Sequence, residues 1–188
     1  MNHTPQIKRA IQFAARKHHG QLRISSSLDE PLPHITHLFS VALLVAEDGA
    51  PDDVVTAALL HDTLEDTSTT REELITAFNE HVAVLVEEVS EDKELEWKER
   101  KENYLAGMQR ASDEALLIAI ADKVDNVESR IDEYEKGGET FLARWKRPNA
   151  DYLWFYGEAL RVAQARLPDH PLTKRYAEAH VRQLGLFV

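Results

Sequence analysis

The sequence contains no cysteine. This absence excludes disulfide bonds, thiolate metal sites and cysteine nucleophiles. No apolar run approaches the roughly 20 residues that a membrane-spanning helix needs, and the first residues lack the uninterrupted apolar segment of a signal peptide. We therefore expect a cytoplasmic protein with no membrane partner, in a bacterial or a eukaryotic cell.

Basic residues are scarce relative to acidic ones. The 188 residues include 22 Lys and Arg but 33 Asp and Glu, which gives a formal net charge of −11 at pH 7. General nucleic-acid binding needs an extended basic surface, so we expect no nucleic-acid partner. A small phosphorylated substrate would need a metal ion or a local cluster of cations. The composition leaves the oligomeric state open.

Apolar residues recur with helical spacing along nearly the whole chain. The length favours one domain, and an apolar content of 43% is typical of a globular protein. We predict an all-α fold, a single helical bundle over residues 1–188 in which C-terminal helices within 150–185 pack on the rest. The helices that bear on the site are predicted over 36–47, 52–66, 71–89, 152–162 and 172–184, and the charged segment 90–101 is predicted to be exposed.

The most informative polar string is His61-Asp62-Thr63-Leu64-Glu65-Asp66, which follows the apolar residues 54–60. On one continuous helix, residues four apart share a face. Carboxylates at a helix C-terminus oppose the helix dipole and repel one another. The string is therefore either a helix end that emerges into solvent or a site where a bound cation removes the repulsion.

Two further residues stand in apolar surroundings. Asp122 follows residues 116–121, which are apolar on every face and indicate a buried helix. A carboxylate there forms a salt bridge, faces solvent or binds an ion. His37 lies among the apolar residues 35–42, where a histidine is either a hydrogen-bonded core residue or a ligand.

Two imidazoles and two carboxylates occur among these candidates: His37, His61, Asp62 and Asp122. A nitrogen and oxygen set without sulfur suits an octahedral divalent ion such as Mn²⁺, and Fe²⁺, Zn²⁺ or Mg²⁺ remain alternatives. Glu65 and Asp66 would lie beside the metal without being ligands, where they could orient water or exchange its proton.

These residues resemble the HD metal-dependent phosphohydrolase pattern, in which a His, a His-Asp pair and a later Asp bind one metal. A longer resemblance is more specific. The hydrolase domain of the RelA/SpoT family is similar, in order, to AARKHHGQLR, PHITHLFSVA, AALLHDTLEDT, TREELITAFNEHVAVLVEEVSEDK, ERK and IADKVDN. The resemblance covers about residues 7–156, and the chain looks like a small alarmone hydrolase of this family.

The resemblance implies removal of the 3′-diphosphate from ppGpp and pppGpp, which gives GDP or GTP and pyrophosphate, usually with Mn²⁺. It implies that the four candidates above are the metal ligands and that Glu65 and Asp66 are the catalytic pair. It also implies that Arg23 stacks on or holds the base and that Asn126 and Tyr152 contact the nucleotide.

Several phosphates need local positive charge in so acidic a chain. We expect Lys101 and Lys123, which fall within the matching segments, to help bind the substrate. Lys98 and Arg100 are expected instead to form a solvated face with neighbouring glutamates.

The chain departs from the family pattern at four places. Ile24 stands where a lysine is usual, the loop 25–30 is longer, His34 replaces a common tyrosine, and Asp125 stands where an aromatic residue or histidine is frequent. We expect all four on the substrate side, away from the metal ligands.

These departures make guanine specificity less secure than hydrolase chemistry. They leave open a phosphohydrolase of adenosine alarmones, or of a nicotinamide dinucleotide with a 2′-phosphate (NADPH). A non-catalytic, nucleotide-sensing HD domain is a further alternative, although the intact pair Glu65 and Asp66 argues against it.

Overall fold

The computed structural model describes residues 4–23 and 31–188. Within these residues it contains helices and a single isolated β-bridge, between Leu22 and Pro33. The predicted all-α fold is confirmed. Ile24 and the loop 25–30 lie outside the described residues. The helices are α1 (Pro5–Lys17), α2 (Ile35–Glu47), α3 (Asp52–Leu60), α4 (Thr63–Asp66), α5 (Arg71–Ala77), α6 (Glu80–Glu88), α7 (Trp97–Arg110), α8 (Asp113–Leu142), α9 (Asn149–Arg166) and α10 (Pro171–Phe187).

Two helices predicted as continuous are each divided in two. The helix predicted over 52–66 breaks at His61, where the His61 ring and the Thr63 hydroxyl hydrogen-bond the carbonyls of Ala58 and Leu60. Side chains that take backbone carbonyls compete with helix continuation. The predicted continuous helix was therefore wrong at the residues that carry the candidate site.

The helix predicted over 71–89 breaks at Phe78, which has φ −130° and ψ −92°. The Asn79 side chain then accepts a hydrogen bond from the amide of Val82 and begins α6. Asparagine is among the best residues at a helix N-cap. The Thr70 hydroxyl caps α5 in the same way by accepting from the amide of Glu73.

One connected apolar core extends from α1 to α10. Every residue of α3 from 54 to 60 is buried, and α8 packs against α2, α3, α9 and α10. Gly138, at φ +54°, interrupts α8 near its end. The contacts of α9 and α10 with α8 support the predicted single domain over 1–188, which stays a prediction.

Helix packing brings three elements of the candidate site together. His37 is on α2, His61 directly follows α3, and Asp122 is near the middle of α8. These helices pack on one another in all three pairs. Among residues 4–23 and 31–188, no helix combines the length and the apolar character that crossing a bilayer requires.

The docking of α10 on α9 can be tested at Tyr176. Its hydroxyl is buried and donates a 2.8 Å hydrogen bond to the carbonyl of Tyr156. We expect Tyr176→Phe to lower the free energy of unfolding by about 1 kcal/mol, which corresponds to a Tm about 2–4 °C lower in a chain of this size. The matched control is Tyr134→Phe, because the Tyr134 hydroxyl bonds Glu139 at an exposed position. Equal Tm values for the two variants would contradict the expectation.

Candidate metal centre and adjoining cleft

Three of the four predicted ligands form a buried cluster. The candidate ligand atoms of His37, His61 and Asp122 all lie within 4.8 Å of one another. Asp122 Oδ1 is 3.1 Å from His37 Nε2 and 3.8 Å from His61 Nε2. Residues 85 positions apart in the chain therefore converge because α2, α3 and α8 pack together.

The fourth predicted ligand, Asp62, lies against both imidazoles. Its Oδ1 is 3.3 Å from His61 Nε2, and its Oδ2 is 3.9 Å from His37 Nε2. Burial would raise the pKa of Asp62, but the charge of His61 and a hydrogen bond from His34 outweigh burial and lower it strongly. The four predicted ligands thus surround one small volume.

The orientation of the His61 ring suits a cation. Its Nδ1–H donates to the carbonyl of Ala58 at 2.8 Å, so Nε2 is the ring nitrogen that faces the cluster. That Nε2 is buried and has no hydrogen-bond partner among the described residues. A buried imidazole nitrogen without a donor is unfavourable by itself, and a divalent ion would satisfy it. The residues therefore fit a metal.

The cluster holds charge even without an ion. Burial lowers the pKa of His37, but hydrogen bonds to Asp122 and Asp125 outweigh burial and raise that pKa to about 9. Burial would raise the pKa of Asp122, yet Lys123 and His37 hold it well below the usual range. At neutral pH the metal-free cluster keeps a proton on His37, and a divalent ion would displace that proton on binding.

Two of the family departures touch the ligands, contrary to expectation. Asp125 Oδ2 lies 2.7 Å from His37 Nδ1, and His34 Nε2 lies 2.8 Å from Asp62 Oδ2. The prediction that both stay away from the ligands was wrong. Asp125 follows Asp122 by nearly one turn of α8, so it faces the same side, and His34 immediately precedes α2. Helical spacing was the signal that could have found Asp125.

Glu65 and Asp66 lie next to the cluster but in different environments. Glu65 accepts a 2.7 Å hydrogen bond from the amide of Glu91, and burial together with the charges of Asp62 and Glu91 raises the pKa of Glu65 to about 8. Asp66 is more exposed and forms an ion pair with Lys93. The two carboxyl groups therefore differ in burial and in hydrogen-bond partner.

A cleft of about 810 Å³ opens beside the cluster. All eleven predicted site residues line it: Arg23, His37, His61, Asp62, Glu65, Asp66, Lys101, Asp122, Lys123, Asn126 and Tyr152. The volume falls in the range of sites that enclose small ligands. The structure thus gathers residues that the sequence spreads over 130 positions.

The predicted substrate-side cations are already paired within the protein. Lys123 forms an ion pair with Asp122 and donates to the Tyr104 hydroxyl at 3.0 Å. Lys101 lies 2.5 Å from the Glu91 carboxylate. Arg23 donates to Asp125 at 2.6 Å. A ligand that binds to any of these cations therefore also lies close to the acidic residue with which that cation is paired.

Other residues that line the cleft were not predicted as site residues from the sequence. The side chain of Glu91 is only 7% exposed although its segment was predicted to be exposed, and it also binds Arg100 at 2.8 Å. Lys98 does pair with a neighbouring glutamate at an exposed position, as expected. Arg144, Trp145 and Lys146 also line the cleft. A tryptophan flanked by cations just before a proline turn was the available signal.

A His on one helix, a His-Asp pair directly after a second and an Asp on a third form the arrangement of an HD domain. A sequence profile of the HD domain matches residues 10–140 of this chain. The match covers more than half of the chain, which therefore belongs to the HD-domain family.

Similar proteins indicate which group of HD-domain proteins this chain resembles. The chain is 42% identical over 123 residues to the guanosine-3′,5′-bis(diphosphate) 3′-pyrophosphohydrolase MESH1 of Xenopus tropicalis. The match covers 64% of this chain and 67% of the Xenopus protein. It is 40% identical over 130 residues to the guanosine-3′,5′-bis(diphosphate) 3′-pyrophosphohydrolase of Aquifex aeolicus. That match covers 68% of this chain but 18% of the Aquifex protein. The resemblance to RelA/SpoT-type hydrolase domains is confirmed.

A solved structure is similar over nearly the whole length. It is described as a metazoan ortholog of SpoT that hydrolyses ppGpp, and it has 28% sequence identity with this chain. The alignment covers 99% of both chains with a TM-score of 0.80. The C-terminal helices α9 and α10, beyond the profile match, therefore belong to the shared fold.

The ligand set can be tested by metal content. We expect the purified protein to bind about one divalent ion per chain and Asp122→Ala to lose it during dialysis, because the variant lacks one of the four ligands and one of the two carboxylate charges. Elemental analysis after dialysis measures this. Asp132→Ala, at an exposed position of α8, is the control that should keep the ion. Full occupancy in Asp122→Ala would rule out the ligand set.

The raised pKa of Glu65 predicts a pH-dependent stability. Its carboxyl group ionises near 4.5 when exposed but near 8 in the metal-free fold, so the folded state binds more protons between these values and its stability falls as the pH rises. Glu65→Gln has no such group. We expect the metal-free variant to match the wild type below pH 4.5 and to become more stable by about 1 kcal/mol or more at pH 8.

Thermal unfolding from pH 4 to pH 9 measures this difference. The exposed Glu72→Gln serves as the control, because no such trend is expected there. Saturating Mn²⁺ should reduce the difference, since a nearby cation lowers the pKa of a carboxyl group. A constant difference across the pH range would contradict the assignment.

Proposed function

We propose that this protein is a Mn²⁺-dependent hydrolase that removes the 3′-diphosphate of ppGpp and pppGpp, giving GDP or GTP and pyrophosphate. The observation that carries the proposal is the buried cluster of His37, His61 and Asp122 opening onto a cleft that Glu65 and Asp66 also line. Relatives that share 40% or more of their residues over the matched part are named for this reaction.

The ligand chemistry supports a hard or borderline divalent ion. His37, His61, Asp62 and Asp122 supply nitrogen and oxygen donors, a mixture that Mn²⁺ accepts. When bound, such an ion polarises a phosphoryl oxygen and lowers the pKa of water. The protein itself keeps the imidazole nitrogens oriented, through the bonds of His61 to Ala58 and of His37 to Asp125.

The acidic pair can move the protons of the reaction. Hydrolysis forms a bond from a water oxygen to phosphorus, breaks the bond from phosphorus to the 3′ oxygen, and transfers a proton from the water to the departing 3′ oxygen. A pKa near neutrality suits a general acid or base, and the Glu65 carboxyl has a pKa of about 8 in the metal-free protein. We assign proton exchange to Glu65 and orientation of the attacking water to Asp66.

The substrate side combines cations with aromatic rings. Lys101 and Lys123 would provide charge for the phosphates, and Arg23 and Asn126 would contact the nucleoside. Tyr152 forms an aromatic pair with Trp145, with ring centroids 4.8 Å apart. Such a wall can pack on a planar base. It supports nucleotide binding without distinguishing guanine from adenine.

A second substrate class has one observation in its favour. The guanidinium of Arg23, implied to hold the base, is already bound to Asp125 and to the Ser129 hydroxyl at 3.0 Å. Recognition of guanine by Arg23 would have to coexist with these bonds. Adenosine alarmones and NADPH therefore stay in the comparison.

One nucleotide panel with Mn²⁺ tests the function. Substrates are ppGpp, pppGpp, the adenosine analogue and NADPH, and release of pyrophosphate and phosphate is scored separately. We expect pyrophosphate from ppGpp and pppGpp. Phosphate from NADPH alone would move the proposal to the second class. Nucleotide binding without turnover of any substrate would leave the sensor alternative and overturn the enzyme proposal.

Variants of the acidic pair separate chemistry from metal binding. Glu65→Gln and Asp66→Asn preserve size and remove charge, so metal content should stay at the wild-type level. General acid–base catalysis contributes about 10²–10⁴-fold, and we expect kcat to fall by that order. Glu72→Gln, exposed on α5, is the control. Unchanged kcat in both variants would give the pair a structural role only.

A further inference from the structure

Asp125 connects the metal cluster to the cleft through one carboxylate oxygen. Its Oδ2 lies 2.7 Å from His37 Nδ1 and 2.6 Å from Arg23 Nη2. The side chain of Asp125 is 14% exposed and that of Arg23 is 9% exposed, so both bonds are largely shielded from water. Charge-assisted hydrogen bonds in such surroundings are stronger than those at a surface.

The bond to Asp125 determines which nitrogen of His37 is available. When Nδ1–H donates to the carboxylate, the lone pair of the neutral ring is on Nε2. That Nε2 is the atom that lies 3.1 Å from Asp122 Oδ1, inside the cluster. A carboxylate behind a metal-binding imidazole fixes its orientation and increases its basicity. His61 has the backbone carbonyl of Ala58 in this position instead, so only one of the two imidazoles is supported by a charge.

The bond to Asp125 also sets the position of Arg23. The same Nη2 donates to the Ser129 hydroxyl at 3.0 Å, one turn further along α8. Arg23 is thereby held along α8 at the edge of the cleft. An arginine that is already ordered loses less side-chain entropy when a ligand binds.

We propose that Asp125 is a positioning residue that aligns His37 for the metal and Arg23 for the substrate. The metal part of this proposal needs only the cluster, whereas the substrate part rests on the proposed function. Asp125 does not itself meet the reacting atoms. An alternative is that Asp125 and Arg23 form an ion pair that only stabilises the packing of the chain on α8.

The first experiment measures Mn²⁺ affinity of the metal-free protein by calorimetry. We expect Asp125→Ala to weaken binding about 10- to 100-fold, the usual effect of losing an outer-shell partner. Asp125→Asn can still accept from Nδ1 and should recover part of that loss. Arg23→Gln removes the ion pair but keeps the contact of Asp125 with His37, so its Mn²⁺ affinity should not fall.

Stability of the metal-free variants separates positioning from packing. Asp132→Asn, exposed two turns further along α8, is the matched control for affinity and Tm. A loss of affinity in Asp125→Ala that exceeds the loss in Arg23→Gln, with both variants still folded, supports the proposal. Equal Mn²⁺ affinity for Asp125→Ala and the wild type would overturn it. Equal losses in both variants would leave the ion pair as a packing element and would overturn it as well.

The second experiment tests the role of Asp125 toward Arg23. It measures KM and kcat with the substrate that the nucleotide panel identifies. At saturating Mn²⁺ we expect Asp125→Asn to raise KM at least about threefold while kcat stays within about threefold of the wild type, because binding shared by ground and transition states is lost. An unchanged KM would overturn the role of Asp125 toward Arg23. If no nucleotide is hydrolysed, the proposed function fails, but the metal affinities still decide the role of Asp125 toward His37.

Discussion

The structure depends on burying a carboxylate, Asp122, directly after the apolar stretch 115–121 in the first half of the long helix α8. A buried ionised carboxylate is strongly unfavourable unless it is paired and hydrogen-bonded. Asp122 receives its compensation from the adjacent Lys123, from Asn126 and from His37 on α2. Because these partners come from different helices, satisfying one charge also fixes how α2 packs against α8.

The residues that pair with Asp122 are themselves paired with further residues. His37 is bound on its other side by Asp125, which is bound by Arg23, and Lys123 is bound by Tyr104. Acids and bases alternate along the first path, and the second path ends at the Tyr104 hydroxyl, so these charges are paired within the protein. His61 is different, because its Nε2 lies near two carboxylates but has no hydrogen-bond partner within the described residues. The buried network is therefore nearly complete without an ion, and the position where it is incomplete lies between the predicted ligands.

From the sequence, the fold class and the residues of the site are predicted well, whereas the local geometry is predicted less well. Helical periodicity predicts most of the helices, and unusual polar residues in apolar stretches point to His37, His61 and Asp122. It does not predict the break after Leu60, because a propensity for helix says little about side chains that bind the carbonyls of their own turn. Helical spacing places Asp125 on the same face of α8 as Asp122, but it does not predict that Asp125 contacts His37 or that His34 contacts Asp62. These contacts depend on how α2 lies against α8 and α3, which no local pattern contains.

Substrate preference is hard to infer from composition because the cations of the cleft are paired with acidic residues. Arg23, Lys101 and Lys123 each have an acidic partner, so the number of cations does not measure the positive charge that a nucleotide meets. A lysine has three donors and an arginine five, so a paired cation can still bind a phosphate or a base edge with the donors that remain. Which donors remain is decided by the acidic partner. Under the proposed function, specificity in this cleft would therefore be a property of the pairs, and a change in Asp125 or Glu91 would alter the substrate preference without any change in the cations themselves.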